Sequence, residues 1–345
     1  MISTLSMGEI DLKSLSRIGK TPLIPLGLNA GPQGRVFAKL EWYNPFGSLK
    51  DRAAYWMIRA AEKDGRLKKG QTILIEPSSG NTGIALVGIS NRLGYSVEIV
   101  IPEKASGETK TLIESLGGKL METEDDLCPR VGKGTDQSIA LAQAIVRRRP
   151  EKYVMLNQYE NEANFRAHYE STGPEIWEQT GGRVKHFVTG IGTGGTITGV
   201  AQFLKEKDPG VRIYGVQPQP GHRIQGLRNL TESAMPKLLE RRRDLVDEWI
   251  EVRDKNAFAA VKLLAKEESL FVGPSSGAVM HATLGVASKN TGDVVAMFAD
   301  DGRKFRSLYA ELGVFSPEEL EALPRKAKHL PGLALPLEVL SQARL

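Results

Sequence analysis

The chain has 345 residues, 41% of them hydrophobic and 25% charged, with a formal net charge of +5. That length suffices for roughly two packed units with a sizeable core, and the composition is ordinary for a globular protein. Apolar runs are of strand length, as in Val97–Ile101, far short of a membrane span, and a single cysteine, Cys128, excludes an intrachain disulfide framework and a cysteine-rich zinc site.

Apolar runs and helical patterns alternate along the chain. Behind Lys50, Ala54, Met57, Ile58 and Ala61 recur at helical spacing, and Gly65 ends the pattern. Thr72–Ile75 predicts a strand, then a turn at Ser78 and a helix from about Thr82 to Leu93. A strand at Val97–Ile101, a helix through Thr109, Leu112, Ile113 and Leu116, a short strand at Lys119–Glu122 and a helix ending at Arg147–Arg149 follow. Tyr153–Leu156, His186–Thr189, Arg212–Val216, Leu270–Val272 and Val294–Ala299 predict further strands, with helices between most of them. Near-continuous apolar strands alternating with helices indicate an α/β fold with parallel sheets covered on both faces. The change of pattern near Pro150 suggests a crossing between two α/β units, and the Pro- and charge-rich stretch after Phe315 reads as a helical or partly mobile tail.

Met1–Glu9 lacks a basic segment and an apolar segment, so no signal peptide is expected and a cytoplasmic location follows. The basic runs Arg147–Arg149 and Arg241–Arg243 end helical patterns and carry no interleaved aromatics, which predicts no nucleic-acid partner. An anionic small substrate suits the modest positive charge. The five histidines, His168, His186, His222, His281 and His329, show no metal-ligand spacing and read as surface or packing residues. Cys128 sits in a polar stretch without a flanking histidine, which disfavours a catalytic thiol.

The chemistry concentrates in four segments. Lys50 lies in Asn44-Pro45-Phe46-Gly47-Ser48-Leu49-Lys50-Asp51-Arg52, between a Gly-Ser pair and an apolar helix. Three turns, Ser78–Gly83, Gly190–Thr196 and Gly273–Gly277, each follow an apolar run and open a helical pattern. Backbone N–H groups at such helix starts favour phosphate and carboxylate. A lysine held at a helix start has its pKa lowered by burial and by the positive helix end, and can form a Schiff base with a carbonyl. Pyridoxal phosphate combines a carbonyl with a phosphate, so Lys50 and Gly192–Thr196 would anchor its two ends.

Two other motif readings compete. Gly190–Gly195 matches G-x-G-x-x-G, but the next strand ends in Gln217 where a dinucleotide site wants an acidic residue. Gly273-Pro274-Ser275-Ser276-Gly277 matches the nucleophile elbow of a serine hydrolase, with Asp300 and His329 in the required order. That reading lacks an oxyanion segment upstream and leaves Lys50 and two turns unexplained. It stays as a remote alternative using Ser275.

The combination resembles the cysteine synthase and cystathionine β-synthase family of fold-type II pyridoxal phosphate enzymes. The resemblance runs from about Ile18-Gly19-Lys20-Thr21-Pro22-Leu23 to about Tyr309, through the Lys50 segment, Ser79–Gly83, Thr172-Gly173-Pro174-Glu175, Gly192–Thr196 and Ser275-Ser276-Gly277. It implies two three-layer α/β domains like those of the tryptophan synthase β-subunit, with the cofactor between them. Residues 1–46 plus 152–315 would form the large cofactor-binding domain, 47–151 a smaller mobile domain carrying the substrate loop, and 316–345 a tail.

The resemblance also implies roles. Lys50 would hold the cofactor and move the Cα proton. Asn81 would meet the phenolic oxygen, Gly192, Thr193, Gly194, Gly195 and Thr196 the phosphate, and Ser275 the pyridine nitrogen. Ser78, Ser79, Gly80, Thr82 and Gln158 would hold the substrate carboxylate. A neutral serine hydroxyl stabilises a protonated ring less than an aspartate would, which favours loss of a β-leaving group over transamination. The implied reaction is a β-replacement through an aminoacrylate, making cysteine from an activated serine and a sulfur donor.

Arg228, in Gln225-Gly226-Leu227-Arg228-Asn229, is similar to an arginine of members that take O-phosphoserine, and its fork suits a phosphate dianion. The bland alternative is that it points to solvent or meets Glu232. The sulfur donor would be sulfide or a thiocarboxylated carrier protein, and the assembly a homodimer. A cystathionine-forming enzyme is the alternative. The sequence departs from the family at Ser78 (often threonine), Pro274 (usually isoleucine) and Gln217 (usually glutamate), and no haem-binding extension or regulatory domain pair is expected.

Overall fold

The computed structural model describes residues 15–28, 34–124 and 137–323; Cys128, His329 and the tail from residue 324 onward lie outside the described residues. Strands β1 (Leu23–Pro25), β2 (Val36–Leu40), β7 (Val184–Gly190), β8 (Arg212–Pro218), β9 (Glu248–Val252) and β10 (Asp293–Phe298) form one sheet in the order β1-β2-β10-β7-β8-β9. Strands β3 (Ile73–Pro77), β4 (Ser96–Pro102), β5 (Lys119–Thr123) and β6 (Tyr153–Met155) form a second sheet in the order β5-β4-β3-β6. Every pairing is parallel except that of β1 with β2. The fold is thus two α/β units, as the alternating pattern indicates.

Apolar content explains which strands sit centrally. β10 is buried at all six positions and lies between β2 and β7. Helix Pro274–Lys289 covers the large sheet, and helix Asp254–Glu267 packs on it. In the smaller unit the helix Lys50–Lys63 turns Ala53, Ala54, Met57, Ile58 and Ala61 into the core. Burying side chains such as Met57 and Ile58 contributes about 1.5–3 kcal/mol each. Gly65 follows with φ +69°, the left-handed conformation that ends the pattern.

Some elements differ from expectation. Leu270–Val272 is not a ladder strand: Leu270 N–H bonds back to Leu264 O, Phe271 O accepts from Gly302 N–H, and only Val272 bridges to Asp301. β1, β2 and β9 have no clear period-two signal, because β1 spans three residues and β2 is buried throughout despite carrying Lys39. β6 pairs with β3 at Ile73 and Tyr153, so the strand after the expected 151/152 boundary stays in the smaller sheet. Pro150 follows the end of helix Gln137–Arg148, and the passage to the large sheet comes after β6. Ser316 caps a helix at Pro317–Ala322 with a capping box, so the tail begins helical.

Candidate active site

The three turns meet because each leaves the carboxyl end of a strand or an apolar run beside one cleft, the usual ligand position of α/β sheets. β3 leads to Ser78 and helix Asn81–Leu93, β7 to Gly192 and helix Gly195–Lys207, and Phe271–Gly273 to helix Pro274–Lys289. Ser48 bridges to Asp300, and Leu49 N–H bonds to Ala299 O at 3.0 Å, which fixes the start of the Lys50 helix against the end of β10. The cleft encloses about 570 Å³, including its open mouth, and is lined among others by Lys50, Asn81, Gly192, Thr193, Gly194, Thr196 and Ser275.

Lys50 stands at one end. Burial, and then the positive charge of Arg228, pull its amine down to about 8, so an appreciable neutral fraction exists near neutral pH. At the other end Gly194, with φ +85°, turns the chain into helix Gly195–Lys207, as a residue with a Cβ would do only with strain. The N–H groups of that helix start and the Thr193 and Thr196 hydroxyls make an anion cradle. Ser275, with Ser276, supplies a hydroxyl in the first turn of its helix, and Pro274 takes the first helical position, where its fixed φ is suited.

Asn81 has its amide orientation set by unambiguous partners. Its Nδ2 donates to Asp300 Oδ2 at 2.7 Å, and its Oδ1 accepts from Lys304 Nζ at 2.6 Å. Lys304 also donates to Gly47 O at 3.1 Å. Asp300 is buried, which pushes its carboxyl up, and among the described residues its Oδ1 has no hydrogen-bond partner. Its contact with Asn81 and Lys304 gives it work other than a hydrolase triad.

The expected carboxylate residues divide. Thr82 Oγ1 donates to Gln158 Oε1 at 2.7 Å, joining the two. Ser79 is exposed, while Ser78 Oγ is turned inward and accepts from Gly83 N–H at 2.9 Å and Gly80 N–H at 3.3 Å. Ser78 therefore braces the turn, and the serine-for-threonine departure keeps the hydroxyl this needs. Arg228 is half-buried: its Nη2 donates to Tyr159 Oη at 2.7 Å, and its Cζ lies 4.4 Å from the Tyr159 ring centroid. Gln217 Oε1 accepts from Leu230 N–H at 3.1 Å and so supports the loop carrying Arg228.

Several site neighbours carry no motif. His168 is a packing residue of the two kinds expected: it lies buried behind the Gly192–Thr196 turn, with Nε2 3.2 Å from Thr196 Oγ1 and Nδ1 2.9 Å from Thr172 Oγ1. Burial, and then the positive charges of Arg52 and Lys50, hold its pKa well below the usual value. Tyr159, Asn164 and Lys304 likewise reach the site only through tertiary contacts. Among the described residues no cluster of three His, Cys, Asp or Glu is placed to hold a metal ion, and no helix is long and apolar enough to cross a membrane.

A lysine amine facing a glycine-rich helix start across one cleft fits pyridoxal phosphate, with Lys50 for the aldehyde and Gly192–Thr196 for the phosphate. The chain belongs to the pyridoxal-phosphate dependent enzyme family, whose model matches residues 15–300. Within it the chain is similar to cysteine synthases. It is 41% identical over 301 residues to the cysteine synthase of Aquifex aeolicus, covering 84% of this chain and 89% of that protein. The cystathionine beta-synthase of Apis mellifera is 38% identical over 287 residues, covering 79% of this chain and 56% of that one. The crystal structure of the Entamoeba histolytica cysteine synthase superposes with a TM-score of 0.78 at 33% identity, covering 90% of this chain and 94% of that one. Pyridoxal phosphate is therefore the cofactor, and the protein is an enzyme of the cysteine synthase type.

Proposed function

We propose that this enzyme makes L-cysteine by β-replacement from an activated serine, with O-phosphoserine favoured over O-acetylserine and sulfide or a protein-bound thiocarboxylate as sulfur donor. The observation that carries the phosphate preference is Arg228. Its guanidinium is braced by Tyr159 and lies close enough to Lys50 for its charge to depress that amine. A charged group with a fork of donors, near enough to Lys50 to act on its amine, suits the phosphate of a substrate bound beside Lys50.

Pyridoxal phosphate, when bound, supplies an electron sink for negative charge at the substrate α-carbon. The chain supplies the rest. Lys50 Nζ, with its lowered pKa, takes the proton from the α-carbon. Thr82, Gln158 and the N–H groups at the start of helix Asn81–Leu93 orient the substrate carboxylate. Asn81, fixed by Asp300 and Lys304, has one amide hydrogen left that would serve the phenolic oxygen, and Ser275 would offer a neutral hydroxyl to the ring nitrogen. Arg228 would hold the phosphate as the Cβ–O bond breaks, and the phosphate would leave as the hydrogen phosphate dianion with the proton that Lys50 Nζ took from the α-carbon. The unit built on the four-stranded sheet moves over the cleft when substrate binds, and the working assembly is a homodimer.

The test is an absorbance titration of purified holoenzyme with O-phosphoserine and, separately, O-acetylserine. We expect the cofactor spectrum to change at much lower O-phosphoserine, and Arg228→Ala to remove that advantage. An equal or better response to O-acetylserine would refute the phosphate reading. Similarity to a cystathionine beta-synthase supports a second reading, in which homocysteine is the sulfur donor. Mass analysis of the product formed with sulfide and homocysteine together decides between them.

A further inference from the structure

Glu76 is a fully buried carboxylate, at 0% exposure, at the end of β3 just before the Ser78 turn. Among the described residues it pairs with no cation. Its Oε2 accepts from Leu156 N–H and Asn157 N–H and its Oε1 from Gln158 N–H, all at 3.0 Å. Three consecutive backbone donors thus converge on one carboxylate, and Asn157 takes a left-handed φ of +55° to make this possible. Burial pushes the Glu76 carboxyl up to about 7 while the three N–H bonds pull the other way.

The segment so gripped carries two groups of the site. Gln158 accepts from Thr82 through its side chain, and Tyr159 accepts from Arg228. Its position is linked onward as well, since Asn164 Nδ2 donates both to Gln158 O at 2.8 Å and to Thr193 Oγ1 at 3.0 Å in the phosphate turn. The only groups facing the Glu76 oxygens in these bonds are donors, so an acceptor-only carboxylate matches them and an amide does not. From this we infer that Glu76 is a positioning residue for substrate: it sets the shape of the 156–158 loop and, through it, the place of Gln158. The inference rests on the reading that Gln158 holds the substrate carboxylate.

A double-mutant cycle on the holoenzyme tests it. L-Serine is titrated against the cofactor absorbance of the wild type, Glu76→Gln, Gln158→Ala and the double variant. Glu76→Gln is expected to leave the resting cofactor spectrum intact, weaken L-serine by about tenfold to a hundredfold, and add nothing in the Gln158→Ala background. Unchanged L-serine affinity in Glu76→Gln, or an equal loss in both backgrounds, overturns the inference. If Gln158→Ala alone has no effect, the carboxylate reading fails and the inference falls with it, a result distinct from failure of Glu76 alone. Should Glu76→Gln not fold, Glu76→Asp, which keeps the charge but withdraws it from the three donors, is read by the same criteria.

Discussion

Arg52→Met should cost far more stability than removing a surface arginine, and the structure sets the size. Arg52 stands two residues after Lys50, with its side chain 1% exposed, and makes two forks. Nε and Nη2 donate to Glu41 at 2.7 and 2.9 Å, and Nη1 and Nη2 to Glu175 at 2.7 Å each. Glu41 is fully buried, and without Arg52 its oxygens keep, among the described residues, Thr21 Oγ1 and Asn44 Nδ2 as donors. Glu175 keeps Lys39 at 2.7 Å, so most of the cost falls on Glu41. Stranding one buried charge in this way costs about 3–5 kcal/mol. Arg59, 55% exposed and paired with Glu62, is the control, and Arg59→Met should cost at most ~1 kcal/mol. Urea unfolding of the holoenzyme followed by far-ultraviolet circular dichroism gives both numbers. Adding Glu41→Gln to Arg52→Met should restore part of the loss, because the stranded charge goes. A loss below ~1 kcal/mol for Arg52→Met, or an equal loss for Arg59→Met, would refute the account.

Two further outcomes follow from the cleft. On the proposed role of Lys50, cofactor uptake by the apoenzyme needs its amine neutral, so the rate should rise with pH around about 8, and Arg228→Ala should move that rise to higher pH by removing the neighbouring charge. Stopped-flow absorbance across a pH series measures this, and an unmoved midpoint counts against electrostatic coupling of the two groups. A Cβ at Gly195 would lie 2.2 Å from Asn164 Oδ1, a buried side chain that also holds Gln158 O and Thr193, so Gly195→Ala should displace the phosphate turn. Equilibrium dialysis should then show pyridoxal phosphate bound at least about tenfold more weakly, whereas wild-type affinity would mean that Asn164 can move aside.

The sequence by itself determined the α/β class, most of the helices and the four segments that line the cleft. Apolar runs such as Val97–Ile101 and the spacing Ala54, Met57, Ile58, Ala61 are local patterns, and a turn rich in Gly, Ser and Thr before a helix states its anion preference within a few residues. Tertiary structure alone decided the order of strands, with β10 between β2 and β7, and the membership of β6 in the smaller sheet. It also decided the partners of each polar group. The Ser78 hydroxyl closes its own turn, Asn81 meets Asp300 219 residues away, and Arg228 meets Tyr159 69 residues away. Glu76, His168 and Asn164 carry no motif because each acts on groups that are distant in sequence. A hydrogen bond requires two groups within about 3 Å, and only the packed fold brings such distant groups that close.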